Sequence, residues 1–211
     1  MTGSSAEADV KRTLALEAAE ATGFAAVVAT SPPTVRWLLC GRGRPVSTSG
    51  PEADYTVVLA GGRSAVLFPD IEVSRVEAEE GFEELGYEPV PFPWHEGRDG
   101  AVEEVVAGAR VLAGEALETA LAPARRTLAE PERERFRVAG AAAAGAMVES
   151  LGRLSSEDSE EDVAAELALQ CRRQGFFPPV VLVAGAERQG VHRHPLPTGA
   201  ALGRHHPREE D

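Results

Sequence analysis

The 211-residue sequence predicts an α/β fold in which helices flank a largely parallel or mixed sheet. In the first half, short apolar runs typical of strands alternate with segments whose apolar residues recur at helical spacing. The pair Gly61-Gly62 joins two of these runs, which is typical of a β-hairpin. The second half contains the Ala/Gly-rich stretch 138–148, which predicts a long helix.

The first half yields a continuous series of elements. In chain order we predict a helix from Asp9 that Gly23 ends, a buried strand over 25–29, a short turn over 34–39, hairpin strands over 55–60 and 64–68, a helix from Asp70 to Glu80 capped by the Asp70 side chain, an edge strand over 87–90, a helix over 101–107 and a short strand over 110–113.

The second half is predicted to start with a helix from Pro131 to about Leu151, since proline is tolerated in a first helical turn. Ser159 and Asp162 have capping-box spacing and begin a helix that Gly175 ends. A buried strand over 179–184, a turn over 185–190 and a Pro-rich extended segment over 192–198 follow. Residues 1–8 and 204–211 are predicted to be disordered tails.

Composition excludes several classes of partner. The chain has 34 acidic and 21 basic residues and a formal net charge of −13, which disfavours nucleic acid. It has no polybasic stretch for an anionic membrane and no apolar run long enough to span one. Its polar, acidic first residues predict that it has no signal peptide. Cys40 and Cys171 form no CxxC pair and are predicted to be reduced, buried thiols in a cytoplasmic protein.

The sequence contains only incomplete motifs for binding nucleotides or metals. Residues 185–190 have the glycine spacing of a P-loop, but Val191 stands where the phosphate-binding lysine is needed. The four histidines at positions 192, 194, 205 and 206 could bind a divalent metal, or could lie on solvated segments without ligand support. We favour the second alternative. His95 is predicted to be a partly buried loop histidine.

The segment 192–198 offers one further possibility. His194 directly precedes Pro195, which holds its backbone extended, and follows a predicted strand and turn. Such a residue can present its imidazole ring to a substrate. The alternative is a rigid Pro-rich loop that covers an apolar surface.

Five segments, taken in order, resemble the creatinase/prolidase/aminopeptidase P family. They are residues 14–39, 55–68, 128–139, 155–175 and 180–198. The first is similar to the opening helix and strand of the family's N-terminal domain, and the second to its next two strands. The others are similar to the first two helices, the following strand and the histidine segment of its pita-bread catalytic domain.

The resemblance implies a creatinase-like N-terminal α/β domain over 9–127 and an incomplete α+β pita-bread domain over 128–203. Complete members hydrolyse peptides next to proline with two divalent ions such as Mn, Co or Zn, held by two Asp, one His and two Glu. His194 matches the family's substrate-side histidine, with Arg193 beside it, and every metal ligand lies downstream. The resemblance therefore implies a truncated, inactive chain without a cofactor.

An alternative function is a non-catalytic module of the same family. The N-terminal α/β domain would then serve in subunit association, as a homodimer, or in ligand binding. In either case the predicted strand 180–184 would be an exposed edge, because the strands that close a pita-bread sheet are missing.

Overall fold

A computed structural model describes residues 3–46 and 50–203. The chain divides into two compact units, Met1–Pro131 and Glu132–Asp211. The boundary predicted from the sequence, between residues 127 and 128, lies just before this division. Among the described residues, no helix is both long enough and apolar enough to cross a membrane.

The first unit contains five helices and five strands among its described residues. They are α1 Ser5–Ala21, β1 Ala26–Ala29, α2 Pro32–Leu38, β2 Thr56–Ala60, β3 Arg63–Pro69, α3 Val73–Glu79, β4 Glu88–Phe92, α4 Asp99–Val106, β5 Val111–Ala113 and α5 Gly114–Arg126. Two short 3₁₀ turns, Asp70–Glu72 and Phe82–Leu85, flank α3. The predicted strands 25–29, 55–60, 64–68, 87–90 and 110–113 are all confirmed.

The strands form one mixed sheet in the order β4-β3-β2-β1-β5. The outer pairs β3/β4 and β1/β5 are parallel, and the inner pairs β1/β2 and β2/β3 are antiparallel. Gly61 and Gly62 form the β2/β3 turn with φ of 55° and 80°, the left-handed values that favour glycine. The edge strand β4 contains Pro89 and Pro91, each of which lacks a donor for a further strand.

Both faces of the sheet are buried, which explains why the strands are continuously apolar rather than alternating. On one face, Val27, Leu59 and Val66 pack with buried residues of α1, α2 and α5. On the other, Val58 and Leu67 pack with Val105 of α4. The prediction of an α/β layer with a mixed sheet and flanking helices is therefore confirmed.

Helix α1 begins earlier than predicted. Residues 1–8 were expected to be a tail, but Ser4 caps a helix that starts at Ser5, its Oγ accepting from the Glu7 amide at 3.2 Å. Glu7 then forms an ion pair with Lys11 at 2.7 Å, and both side chains are almost completely buried. These contacts order the segment from Ser5 onward. Residues 1–2 lie outside the described part.

Two local predictions in this unit were wrong. The turn expected over 34–39 is the C-terminal part of α2, because Ser31 caps that helix and its two prolines occupy the first turn, where they are tolerated. Asp70 does not cap α3; its Oδ1 accepts instead from the Trp94 amide at 3.2 Å. Helix α5 was not predicted, although Leu117 and Leu121 on it are buried at helical spacing.

A buried carboxylate anchors the loop that follows α2. Glu80 is 3% exposed and accepts from the amides of Gly43 at 2.9 Å and Arg44 at 3.3 Å. It also accepts from the Tyr55 hydroxyl at 3.2 Å and the Arg75 guanidinium at 3.0 Å. Burial raises the pKa of Tyr55 to about 12, so the hydroxyl stays protonated and donates. Glu80 thus joins the loop, the residue that precedes β2, and α3.

The second unit contains most of α6 (Glu130–Leu151) and all of α7 (Glu160–Arg173). The capping box of Ser159 and Asp162 is confirmed by hydrogen bonds in both directions. Both cysteines of the chain are buried and free, as predicted. The strand predicted over 179–184 does not form, because its backbone finds no partner among the described residues. The predicted tail 204–211 lies outside the described residues.

We expect the first unit to fold by itself, because it contains the whole sheet and both cores described above. A fragment of residues 1–131 should unfold cooperatively in urea, with a midpoint close to that of the same unit in the full chain. Both tryptophans, Trp37 and Trp94, lie in this unit, so their fluorescence reports on it alone. A fragment without a cooperative transition, beside a full chain that has one, would contradict this expectation.

Candidate functional site

The segment that carries the candidate histidines is tied to the start of α7. The amide of Glu160 donates to Ala200 O at 2.9 Å and that of Glu161 to Thr198 O at 3.1 Å. Leu202 donates to Asp158 O at 2.9 Å. These bonds use free amides at a helix N-terminus, which have no partner within the helix itself. The end of the segment, 198–203, is therefore fixed on the first turn of α7.

The side chain of Glu160 holds both ends of the segment at once. It is fully enclosed and accepts from the Gly185 amide at 2.8 Å, from the Thr198 amide at 3.0 Å and from the Thr198 hydroxyl at 2.7 Å. Arg188 donates to the same carboxylate. The backbone bond from Gly185, followed by those from Thr198 and the charge of Arg188, lowers the pKa of Glu160. The carboxylate is ionised at neutral pH.

Arg188 extends this anchor towards the histidine segment. Its guanidinium donates to Leu196 O at 3.2 and 3.3 Å and to Thr198 Oγ1 at 3.2 Å. Glu160 and Arg188 thus close a loop whose tip is 191–195. We use the term anchored loop for residues 185–203.

Gly185 is required by close approach rather than by its backbone angles. A Cβ added there would lie 2.7 Å from Ala201 O and 2.8 Å from Leu202 O. These are backbone atoms, so a side chain at this position would push the two ends of the anchored loop apart. The amide that donates to Glu160 therefore belongs to a position that only glycine can occupy without displacing the backbone.

His194 and Arg193 lie at the tip of the anchored loop, and both are exposed to solvent. Neither makes a hydrogen bond or ion pair with the rest of the described chain. His192 is exposed on the same tip. His95, expected to be partly buried, is exposed in the first unit, its ring beside that of Trp94.

The described residues do not fit a dinuclear metal centre. Such a centre needs several carboxylate and imidazole ligands converging on one point. In 3–46 and 50–203, no group of three or more His, Cys, Asp or Glu side chains could hold a metal ion. The enclosed carboxylate of Glu160 already accepts hydrogen bonds from Gly185, Arg188 and Thr198.

The fold of the chain is similar to that of several solved structures. Neither a protein-family model nor a curated protein sequence matches the chain. Among solved structures, dipeptidase PepE from Mycobacterium ulcerans superposes with a TM-score of 0.64 at 17% identity, over 96% of this chain and 59% of that one. The Xaa-Pro dipeptidase from Bacillus anthracis gives 0.63 at 16% identity, over 93% and 58%.

The prolidase from Pyrococcus furiosus gives a TM-score of 0.66 at 13% identity, over 91% of this chain and 62% of that one. The chain has the fold of the N-terminal part of prolidase-type peptidases. It therefore spans about three fifths of these solved structures. The solved structures confirm the resemblance seen in the sequence as a resemblance of fold.

The sequence did not reveal the residues that hold the anchored loop together. Glu160 and Arg188 are 28 residues apart, and their partners Gly185 and Thr198 are separated from each other by a further 13 positions. No periodicity or motif links such positions. The one available signal was an acidic residue directly after the capping residue Ser159, which is also common on exposed helix ends.

We expect His194→Ala to change stability little, by less than about 0.5 kcal/mol, because an exposed side chain without partners contributes little. Thermal unfolding followed by circular dichroism should give the wild-type midpoint. A large fall in the midpoint would mean that the loop tip acts as a structural plug, and the Pro-rich loop would then be the better explanation of this segment.

Proposed function

We propose that residues 3–203 form the peptide-contacting, non-catalytic part of an Xaa-Pro peptidase-type fold. His194 and Arg193 would contact the peptide, the imidazole exchanging a proton with it and the guanidinium pairing with a carboxylate. The observation that carries this proposal is the likeness to prolidase-type structures along 91–96% of this chain, with 58–62% of those chains covered.

The geometry of the anchored loop supports this role. Glu160 and Arg188 fix both ends of the loop, so its tip is held on a rigid base while the side chains at positions 192–194 stay accessible. Accessible side chains on a fixed support are suited to contact a ligand. In the prolidase-type structures the remaining two fifths of the chain would complete the site.

The peptide contact can be tested directly by nuclear magnetic resonance. Addition of an alanyl-proline dipeptide should shift the imidazole proton resonances of His194, and those of His192 beside it. His95 provides an internal control, because it lies in the first unit and should not respond. No shift at His194 at saturating dipeptide, or equal shifts at all three rings, would refute the proposed contact.

We expect no metal-dependent hydrolysis by the 211-residue chain. The described residues offer no converging ligands for two divalent ions. Incubation with Mn, Co or Zn and an Xaa-Pro dipeptide should release no proline, and calorimetric titration should show no pair of stoichiometric sites. Turnover that EDTA abolishes, or two tightly bound ions per chain, would contradict this prediction.

A second candidate function is subunit association through the first unit, as a homodimer. The specific observation is an exposed apolar pair: Trp94 is 61% exposed and Ile71 is 68% exposed. The Trp94 amide is bonded to Asp70, which places the two side chains in the same region. If this pair forms an interface, Trp94→Ala should weaken self-association of the 1–131 fragment in sedimentation equilibrium.

A further inference from the structure

Arg188 holds the tip of the anchored loop from both sides. Its backbone carbonyl accepts from the amides of Val191 at 3.0 Å and His192 at 3.2 Å. Its guanidinium reaches the other side of the tip and donates from two nitrogens to Leu196 O, at 3.2 and 3.3 Å. In sequence, His194 lies midway between His192 and Leu196. One residue therefore fixes the backbone before and after the candidate histidine.

The Arg188 guanidinium is itself held by groups outside the tip. It donates to the carboxylate of Glu160, whose side chain is fully enclosed, and to Thr198 Oγ1 at 3.2 Å. A guanidinium is planar, and its fork of donors can serve several acceptors in fixed directions. The position of the bond to Leu196 O is therefore set by the base of the anchored loop rather than by the tip.

Prolines restrict the backbone between the two points of attachment. Pro195 follows His194 directly, and Pro197 lies two residues further on. The ring of each proline fixes its own φ, and a residue that precedes proline is confined largely to extended conformations. Within the tip, Arg193 thus keeps its ordinary range of backbone conformations, whereas His194 and Pro195 do not. A tip that is bonded on both sides therefore has few conformations left to lose when a ligand binds.

We propose that Arg188 is a positioning residue for His194, which orders the loop tip before the peptide arrives and thereby sets the affinity for the peptide. This inference rests on the proposed contact of His194 and Arg193 with a peptide. Ordering the backbone of one residue lowers a binding constant roughly tenfold. A tip that is ordered in advance avoids this loss. Arg188 therefore acts on affinity without contacting the peptide.

The order of the tip can be measured by amide relaxation in nuclear magnetic resonance. Arg188→Lys keeps a positive charge for Glu160 but lacks the fork of donors, so the bonds to Leu196 O should be lost. The amide order parameters of residues 193 and 194 should be about 0.85 in the wild type and below about 0.6 in Arg188→Lys. Arg173→Lys, the same change at an exposed position of α7, is the matched control and should leave both values unchanged.

The effect on affinity is measured by titration with alanyl-proline, followed at the imidazole protons of His194. In Arg188→Lys the Kd should rise about tenfold, whereas the shift at saturation should equal that of the wild type, because the contact itself is unchanged. The thermal midpoint in circular dichroism should stay within the range of the Arg173→Lys control. A purely structural role of Arg188 would lower the midpoint and leave the Kd of the folded protein unchanged.

The two measurements separate this inference from the proposed function. If alanyl-proline shifts no resonance of His194 in the wild type, the peptide contact is refuted and the effect on affinity with it, whereas a loss of order confined to Arg188→Lys still supports positioning of the tip. A tip that is already flexible in the wild type overturns the inference, even if Arg188→Lys fails to fold. So does an Arg188→Lys variant with wild-type order and wild-type Kd.

Discussion

Replacing Glu80 by alanine is expected to destabilise the first unit by about 3 kcal/mol, the cost of breaking a buried charge network by removing one partner. The carboxylate is enclosed and accepts from the Gly43 and Arg44 amides, the Tyr55 hydroxyl and the Arg75 guanidinium. After its removal these donors lack their acceptor, and the Arg75 charge loses a buried partner. Urea unfolding followed by tryptophan fluorescence measures the change.

Glu79 is the matched control for this variant. It is the neighbouring residue, has the same side chain and also forms an ion pair, with Arg44 at 3.0 Å, but its side chain is 47% exposed. Exposed pairs of this kind contribute less than about 1 kcal/mol. Glu79→Ala should therefore unfold almost as the wild type does. If both variants lost the same free energy of unfolding, the burial of the Glu80 network would not be the cause of the destabilisation.

Glu160→Gln should loosen the anchored loop without unfolding the rest of the chain. The substitution keeps the size of the side chain but removes its charge and replaces one acceptor oxygen by a donor group facing other donors. The amides of Ala186 and Leu202 donate to Leu202 O and Asp158 O, respectively. Both amides should exchange with deuterium about five- to thirtyfold faster in the variant. Glu161→Gln, at the exposed neighbouring position, should leave both rates unchanged.

The same comparison has a predictable dependence on pH. The pKa of Glu160 is lowered from its ordinary value of 4.5, first by the bond from the Gly185 amide. Its stabilising effect is therefore complete above pH 4.5 and is lost as the pH falls through the lowered pKa. The ratio of the exchange rates of Glu160→Gln and the wild type, in which the common pH dependence of amide exchange cancels, should be constant from neutral pH to about pH 5.5 and should fall towards one in more acidic solution. A ratio that grows on acidification would exclude this carboxylate as the anchor.

Local sequence signals predicted most of the first unit and the start of α7 because these elements are specified locally. The Gly61-Gly62 turn, the apolar runs of β1 to β3 and the capping box of α7 each depend on neighbouring residues. The failure at Asp70 has its physical origin in a distant contact. Asp70 is an ordinary capping residue in sequence, but the Trp94 amide, far along the chain, takes its carboxylate.

The candidate site was predictable only in part for the same reason. In the sequence, the proline that follows His194 indicated a residue on an extended segment. In the structure, His194 lies on an accessible loop tip. The strand over 179–184 was wrong because apolar β-branched residues specify a tendency, whereas a strand also needs a partner. Glu160 and Arg188 could not be predicted, since their partners come together only when the anchored loop folds onto α7.

The order of strands in the sheet has a consequence for the kinetics of folding. Strands β2 and β3 are adjacent in sequence and joined by two residues, so this hairpin can form on a timescale of about microseconds. Strand β5 pairs with β1 only after all intervening elements have been synthesised, because Ala26 meets Val111. Closing so long a loop is entropically costly and slow. A nascent chain that has not reached β5 therefore leaves the ribosome with one side of β1 unpaired, which makes this interval the time when the chain most needs protection from aggregation.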